Sequence, residues 1–226
     1  MRWAVFAISA SLWCAALPAR AQDVLDDARL SPVRERLAGS IESARRDGLP
    51  SEWLVDKVAE GLSKRVPPAR IAAAVEELAA RIRAADALVE PVGRADRRRV
   101  LRAAVDALAA GAPRRELGQL VREVARSGGP NTGGRVREAL VTVAELAERQ
   151  FGGAAAVEAT REAHRRGEPP RELLRRARRI GRDPPGGRDR ALRELGRGRG
   201  PGQRDVDARG VGRDHGRDGN PGRGPR

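Results

Sequence analysis

From residue 32 to about 182 the apolar positions recur at helical spacing, with none of the sustained alternation that a half-buried strand requires. The clearest run is Pro68 to Val89, where Ile71, Val75, Leu78, Ile82, Ala85 and Val89 step by 4, 3, 4, 3 and 4. Arg70, Glu76, Glu77, Arg81 and Arg83 lie largely off that stripe, so the segment predicts an amphipathic helix. Val100/Leu101, Ala104/Val105 and Leu108 predict a second helix, and Leu117, Leu120/Val121 and Val124 a third. Val136, Leu140, Val143 and Leu146/Ala147 predict a fourth. Pro170 to Arg182 combines Leu173, Leu174, Ala177 and Ile180 with six Arg, the pattern of a basic amphipathic helix.

The breaks between these segments share a form. A small or basic residue, one spacer, a Pro and, six residues after the start, a Leu or Ile occur four times: Gly48 with Pro50 and Leu54, Arg65 with Pro67 and Ile71, Gly111 with Pro113 and Leu117, Gly167 with Pro169 and Leu173. Three of the four place Gly where a helix C-terminus wants a left-handed residue, and Pro where the next helix starts and a missing N–H is harmless. Gly48 and Arg65 are 17 residues apart, as are Gly111 and Gly128, which is one helix of about four turns plus its connection. The fold expected is all-α. Antiparallel helical hairpins (33–66, 99–128 and a degenerate 135–167) would form a bundle or a short α-solenoid. Unrelated helices sharing ordinary cap chemistry would produce the same breaks.

Both ends of the chain are different material. Met1-Arg2 is a positive start, Trp3 to Leu17 is an uncharged and mostly apolar run, Pro18 breaks it, and Ala19-Arg20-Ala21 supplies small residues at the positions a signal peptidase reads. Residues 1–21 are therefore expected to be a secretory signal, with cleavage between Ala21 and Gln22. Cys14 lies inside the apolar run behind Trp13, where lipid attachment would need a small neighbour, so the mature chain is expected to be cysteine-free and held without disulfides. At the other end, residues 183–226 contain 12 Gly, 11 Arg and 5 Pro in 44 positions, too little apolar surface to offset the entropy of ordering. A disordered tail is expected there. Its Gly196-Arg-Gly198-Arg-Gly200 run resembles flexible RNA-binding segments, but it has no aromatic residue to stack a base, and Asp residues interrupt it. An inert tail, or a GC-rich region read in a shifted frame, is favoured over an RNA arm. The division expected is thus 1–21, a helical body 22–182, and 183–226.

Composition narrows the chemistry. One Cys and two His leave no internal disulfide, no cysteine zinc site and little for His-based metal or triad chemistry. The net charge is +14, and 43 of the 45 basic residues are Arg. Removing Arg2 and Arg20 leaves +12, of which the tail carries +4 (11 Arg against 7 acids) and the body +8 (32 basic against 24 acidic). That is a mildly basic domain, and nucleic acid is disfavoured as a partner. Gly129 to Val136 has the spacing of a phosphate-binding loop, but with Arg for Lys, Val for the metal-binding hydroxyl and a helix before it, so an inter-helix loop is expected. His164 is expected to be a solvated residue at a helix C-terminus. Trp53, beside Leu54 and Val55, is expected to anchor the core.

No catalytic, metal or cofactor set can be assembled. The candidate surface is Arg171, Arg175, Arg176, Arg178, Arg179 and Arg182. Such a helix docks on an acidic protein or on anionic envelope lipid, or else covers the edge of the core with its Arg stems. The function expected is a non-enzymatic, exported interaction or structural module of the cell envelope, periplasmic or extracellular, and the alternative is a polyanion binder working through its Arg clusters. Oligomeric state is not legible in the sequence.

Overall fold

The computed structural model of the chain describes residues 19–129, 131–149 and 151–180. Among them there is no strand. The described residues form nine α-helices in the order α1 (Ala19–Leu25), α2 (Arg34–Arg46), α3 (Glu52–Ser63), α4 (Pro68–Leu88), α5 (Arg94–Ala109), α6 (Arg114–Arg126), α7 (Thr132–Glu148), α8 (Gly153–Arg165) and α9 (Pro170–Ile180), with a 3-10 helix (Ala28–Val33) between α1 and α2. The helices fall into two compact units, one ending at Ala87 and the other beginning at Leu88. The tail expected at 183–226, and the apolar leader up to Pro18, lie outside the described residues.

All four recurring breaks are built in one way. Gly48, Arg65, Gly111 and Gly167 each take a positive φ, at 69°, 54°, 87° and 66°. Each donates its N–H to the carbonyl three residues back (Arg45, Leu62, Leu108, His164), and the next residue's N–H reaches five back (Ala44, Gly61, Ala107, Ala163). This pair of bonds satisfies helix-end carbonyls that have no partner inside the helix. The following Pro sits just outside the next helix rather than in its first turn. Thus Pro67, Pro113 and Pro169 each offer their carbonyl to the incoming helix, accepting from Ile71, Leu117 and Glu172 respectively. The apolar residue that closes each motif becomes core: Leu54, Leu117 and Leu173 are 0% exposed and Ile71 is 2% exposed.

In the first unit α1 and α2 pack on α3 and on one another. Leu30, Leu37, Ile41, Leu54, Val58, Val75 and Ile82 form the interior. Along α4 the expected stripe is buried except for Leu78, which is half-exposed while Ala72 and Ala79 turn inward. Arg36 binds Glu76 through two nitrogens at 2.9 and 3.1 Å, and Arg83 reaches Ser43 at 2.8 Å. Both contacts span 40 residues, so α2 and α4 run side by side in the same direction. Trp53 is half-buried rather than central, because Leu54, Val55 and Val58 take the inward directions of α3.

In the second unit α7 is the hub, packing on α5, α6, α8 and α9. Val136, Ala139, Leu140, Val143, Ala144 and Leu146 are all buried and form a broad apolar face along it. Gln119 accepts from Arg161 at 3.3 Å and Glu123 from Arg165 at 3.1 Å, both across 42 residues, so α6 and α8 also run parallel. Thr142 and Thr160 are the buried polar side chains of this unit. Their hydroxyls donate to the carbonyls of Glu138 and Ala156, so both protons are used within their own helices.

Candidate functional site

The expected cleavage residues Ala19, Ala21 and Gln22 open α1, and Ala21 is 1% exposed. Of the candidate Arg surface, Arg171, Arg175 and Arg178 are exposed on α9, while Leu173 and Ala177 are 0% exposed against α7 and α8. Arg175 pairs with Glu172 at 3.3 Å. Arg176 is drawn inward onto Glu168, whose other oxygen accepts from Arg166 at 2.8 Å. Arg179 lies in the last turn of α9, and Arg182 lies outside the described residues.

The structure also brings together residues that the sequence left apart. His164, in the last turn of α8, has its Nε2 3.4 Å from the Ser127 hydroxyl at the end of α6. Ser127 gives its proton to the carbonyl of Val124 at 2.7 Å. That carbonyl is the one a backbone N–H would take at the other helix ends. The hydroxyl is therefore an acceptor toward His164, the reverse of what a base-activated nucleophile requires. Its job here is to cap α6.

Ser127 and His164 stand at the mouth of a cavity of about 720 Å³, placed among the C-terminal ends of α6 and α8 and the N-terminal ends of α7 and α9. Arg126, Arg135 and Glu138 border it, and Ala139, Thr142, Thr160, Ala163 and Leu173 line its floor. One guanidinium nitrogen of Arg135, Nη2, is buried with no hydrogen-bond acceptor, on the side of Gly129. A second groove, of about 550 Å³, lies between α5 and the start of α7, with Arg99, Arg102 and Arg137 around it.

The glycine run that resembles a phosphate loop is helical from Thr132 onward. Its first turn is not open to a phosphate. The Asp96 carboxylate from α5 lies against Gly133 so closely that any Cβ there would collide with it. A carboxylate at a helix N-terminus interacts favourably with the orphan amides and the dipole, and Asp96 occupies that place.

Among the described residues no helix is long and apolar enough to cross a membrane, and no group of His, Cys, Asp and Glu is arranged to hold a metal ion. Ser127 and Asp96 were missed by sequence reasoning because the groups they meet come from other helices, and Arg135 because only packing buries its Nη2 without an acceptor; no spacing along the chain marks them. No family model, no curated protein and no solved structure matches the chain.

Proposed function

We propose that the protein is a non-enzymatic interaction module of the cell envelope, exported with residues 1–21 as a signal and binding an acidic partner through the cationic face of α9. One observation carries this reading: Leu173 and Ala177 are spent on the core, so the face α9 offers outward is Arg171, Arg175 and Arg178 without an apolar stripe. Such a face recognises charge and does not insert into a bilayer, since insertion needs apolar area on the same side. The parallel registers of α2 with α4 and of α6 with α8 support a plan of successive antiparallel hairpins, each alternate helix returning beside its predecessor but one.

A pull-down from envelope extract tests the reading. Wild-type chain is expected to retain a partner at low salt and release it at high salt, while the R171Q/R175Q/R178Q variant retains none. Equal capture by both sinks the proposal. Export is checked by the mass of the chain in the periplasmic or external fraction, which is expected to begin at Gln22.

A second reading, binding of a phosphate polyanion, is favoured by the groove that gathers Arg99, Arg102 and Arg137. The two are separated by salt dependence. A polyanion gives a steep linear fall of log affinity with log salt, and R99Q/R137Q would reduce the slope by about two.

A further inference from the structure

One side of α6 is core and the other is charge. Leu117, Leu120, Val121 and Val124 are each at most 1% exposed. Arg115, Arg122 and Arg126 are exposed on the opposite side. Steps of seven and four residues return to nearly the same direction on a helix, so the three side chains leave α6 within about 40° of one another, over about 16 Å of its length. Among the described residues none of the three is joined to a carboxylate. The acids of α6 do not offset them. Glu123 is held from α8 by Arg165 at 3.1 Å, with Arg161 at 3.9 Å, and Glu116 leaves the helix about 100° away from Arg115. On α9, by contrast, Arg175 and Arg176 are both paired.

The placement of this charge is itself unfavourable to the helix. Arg114 and Arg115 stand in the first turn, where the positive end of the dipole repels a cation. An anion on this face meets both the guanidinium groups and the dipole. The stripe carries no apolar side chain, so it has no means of entering a bilayer. An acidic helix of another protein would gain only solvent-exposed ion pairs, which are worth little. A linear phosphate polymer gains more, because a guanidinium takes phosphate oxygens in pairs and releases the counterions condensed on the chain. Phe151, the one aromatic residue of the second unit, is 2% exposed, which leaves no ring there to stack a base. We propose that Arg115, Arg122 and Arg126 form a docking stripe for a linear, base-free phosphate polymer laid along α6. It extends the polyanion reading to a site that shares no residue with the groove of Arg99, Arg102 and Arg137, so the two fail separately.

The test is binding of the full 226-residue chain to end-labelled inorganic polyphosphate, followed by fluorescence anisotropy over a salt series. Three contacts at about 0.7 each predict that log affinity falls with log salt at a slope of about two or steeper. R115Q/R122Q/R126Q should lose about two from that slope and bind about tenfold or more weakly at low salt, with its helicity by circular dichroism unchanged. Triphosphate, too short to lie along all three guanidinium groups, should compete weakly. Single-stranded DNA with as many phosphates should bind no more tightly than polyphosphate. An unaltered slope in the glutamine variant, triphosphate as tight as the polymer, or DNA tighter than polyphosphate overturns the proposal. Loss of binding in R99Q/R137Q with the α6 variant unaltered assigns the polymer to the groove and overturns the stripe. If the triple variant does not fold, R115Q and R122Q are measured singly, and a wild-type slope in both overturns the proposal equally.

Discussion

Arg176 reaches back from the second turn of α9 to the carboxylate of Glu168, which Arg166 also holds at 2.8 Å. Glu168 occupies the place that Leu49, Val66 and Ala112 take in the other three breaks, one residue before the Pro and five before the buried Leu or Ile. In those breaks an apolar pair can staple the chain to the incoming helix. In the fourth, a half-buried ion pair does so instead. Its side chains are 12% exposed on Glu168 and 23% on Arg176.

Glu168→Gln is therefore expected to loosen α9 by about 1–2 kcal/mol, since it leaves partly buried guanidinium groups short of a charge. In thermal melts this is a fall of a few degrees. Hydrogen exchange should localise it, with faster exchange in 170–180 and no change in α5.

Arg65 is the one non-glycine residue with positive φ among those described. A side chain in that conformation costs about 1–2 kcal/mol, so Arg65→Gly should be neutral to stabilising despite the freedom Gly adds to the unfolded chain. Gly111→Ala, at φ 87° with open space around the new methyl, should lose about 1 kcal/mol from backbone strain alone. Urea denaturation measures both. A destabilised R65G would mean that the Arg65 side chain has a role its backbone does not reveal.

Gly153, the first residue of α8, sits against the backbone of Gly111 and Ala112 in the α5–α6 connection, and an added Cβ would lie 2.8 Å from the Ala112 Cα. Backbone atoms cannot swing aside as a side chain does. Gly153→Ala should destabilise the second unit by about 1–3 kcal/mol, the scale of overpacking. Gly39→Ala, inside α2 with no heavy atom within 4 Å, should be stabilising by about 0.5–1 kcal/mol.

Both lysines of the chain converge on Glu60, Lys64 from one turn ahead and Lys57 at 2.9 Å from the turn behind. Their hydrogen bonds, that from Lys64 first, lower the Glu60 carboxyl from its ordinary 4.5 to about 2. A lowered folded-state value contributes stability that is present above pH 4.5 and is lost as the pH falls from 4.5 toward 2. Side-chain carboxyl NMR should place the midpoint near 2. Lys64→Met should raise it, and so should salt, because the cluster is exposed. A midpoint unmoved by K64M would refute the assignment.

Much of the fold was legible along the chain. The stripe through Ile71, Val75 and Ile82, the left-handed Gly at 48, 111 and 167, and the buried Leu or Ile after each Pro are local matters. A helix needs only its own residues to declare a face, and a helix end needs only the next few residues to satisfy its carbonyls. Arg65 sat in the same frame and took the same conformation, so position in the motif outweighed residue type.

The Arg face of α9 was legible, but the surroundings of the cavity among α6, α7, α8 and α9 were not, because they are set by how distant helices meet. His164 read as solvated until α8 brought it beside Ser127, 37 residues earlier. Arg135 read as one Arg among 43 until packing buried its Nη2 without an acceptor. Trp53, read as an anchor from its type and its neighbours, lost that place to Leu54 and Val58. Hydrophobic periodicity is set by the chain's own geometry and survives in any context. Which polar groups meet, which are left without a partner and where a cavity remains depend on how whole helices pack, and only the folded arrangement sets those distances.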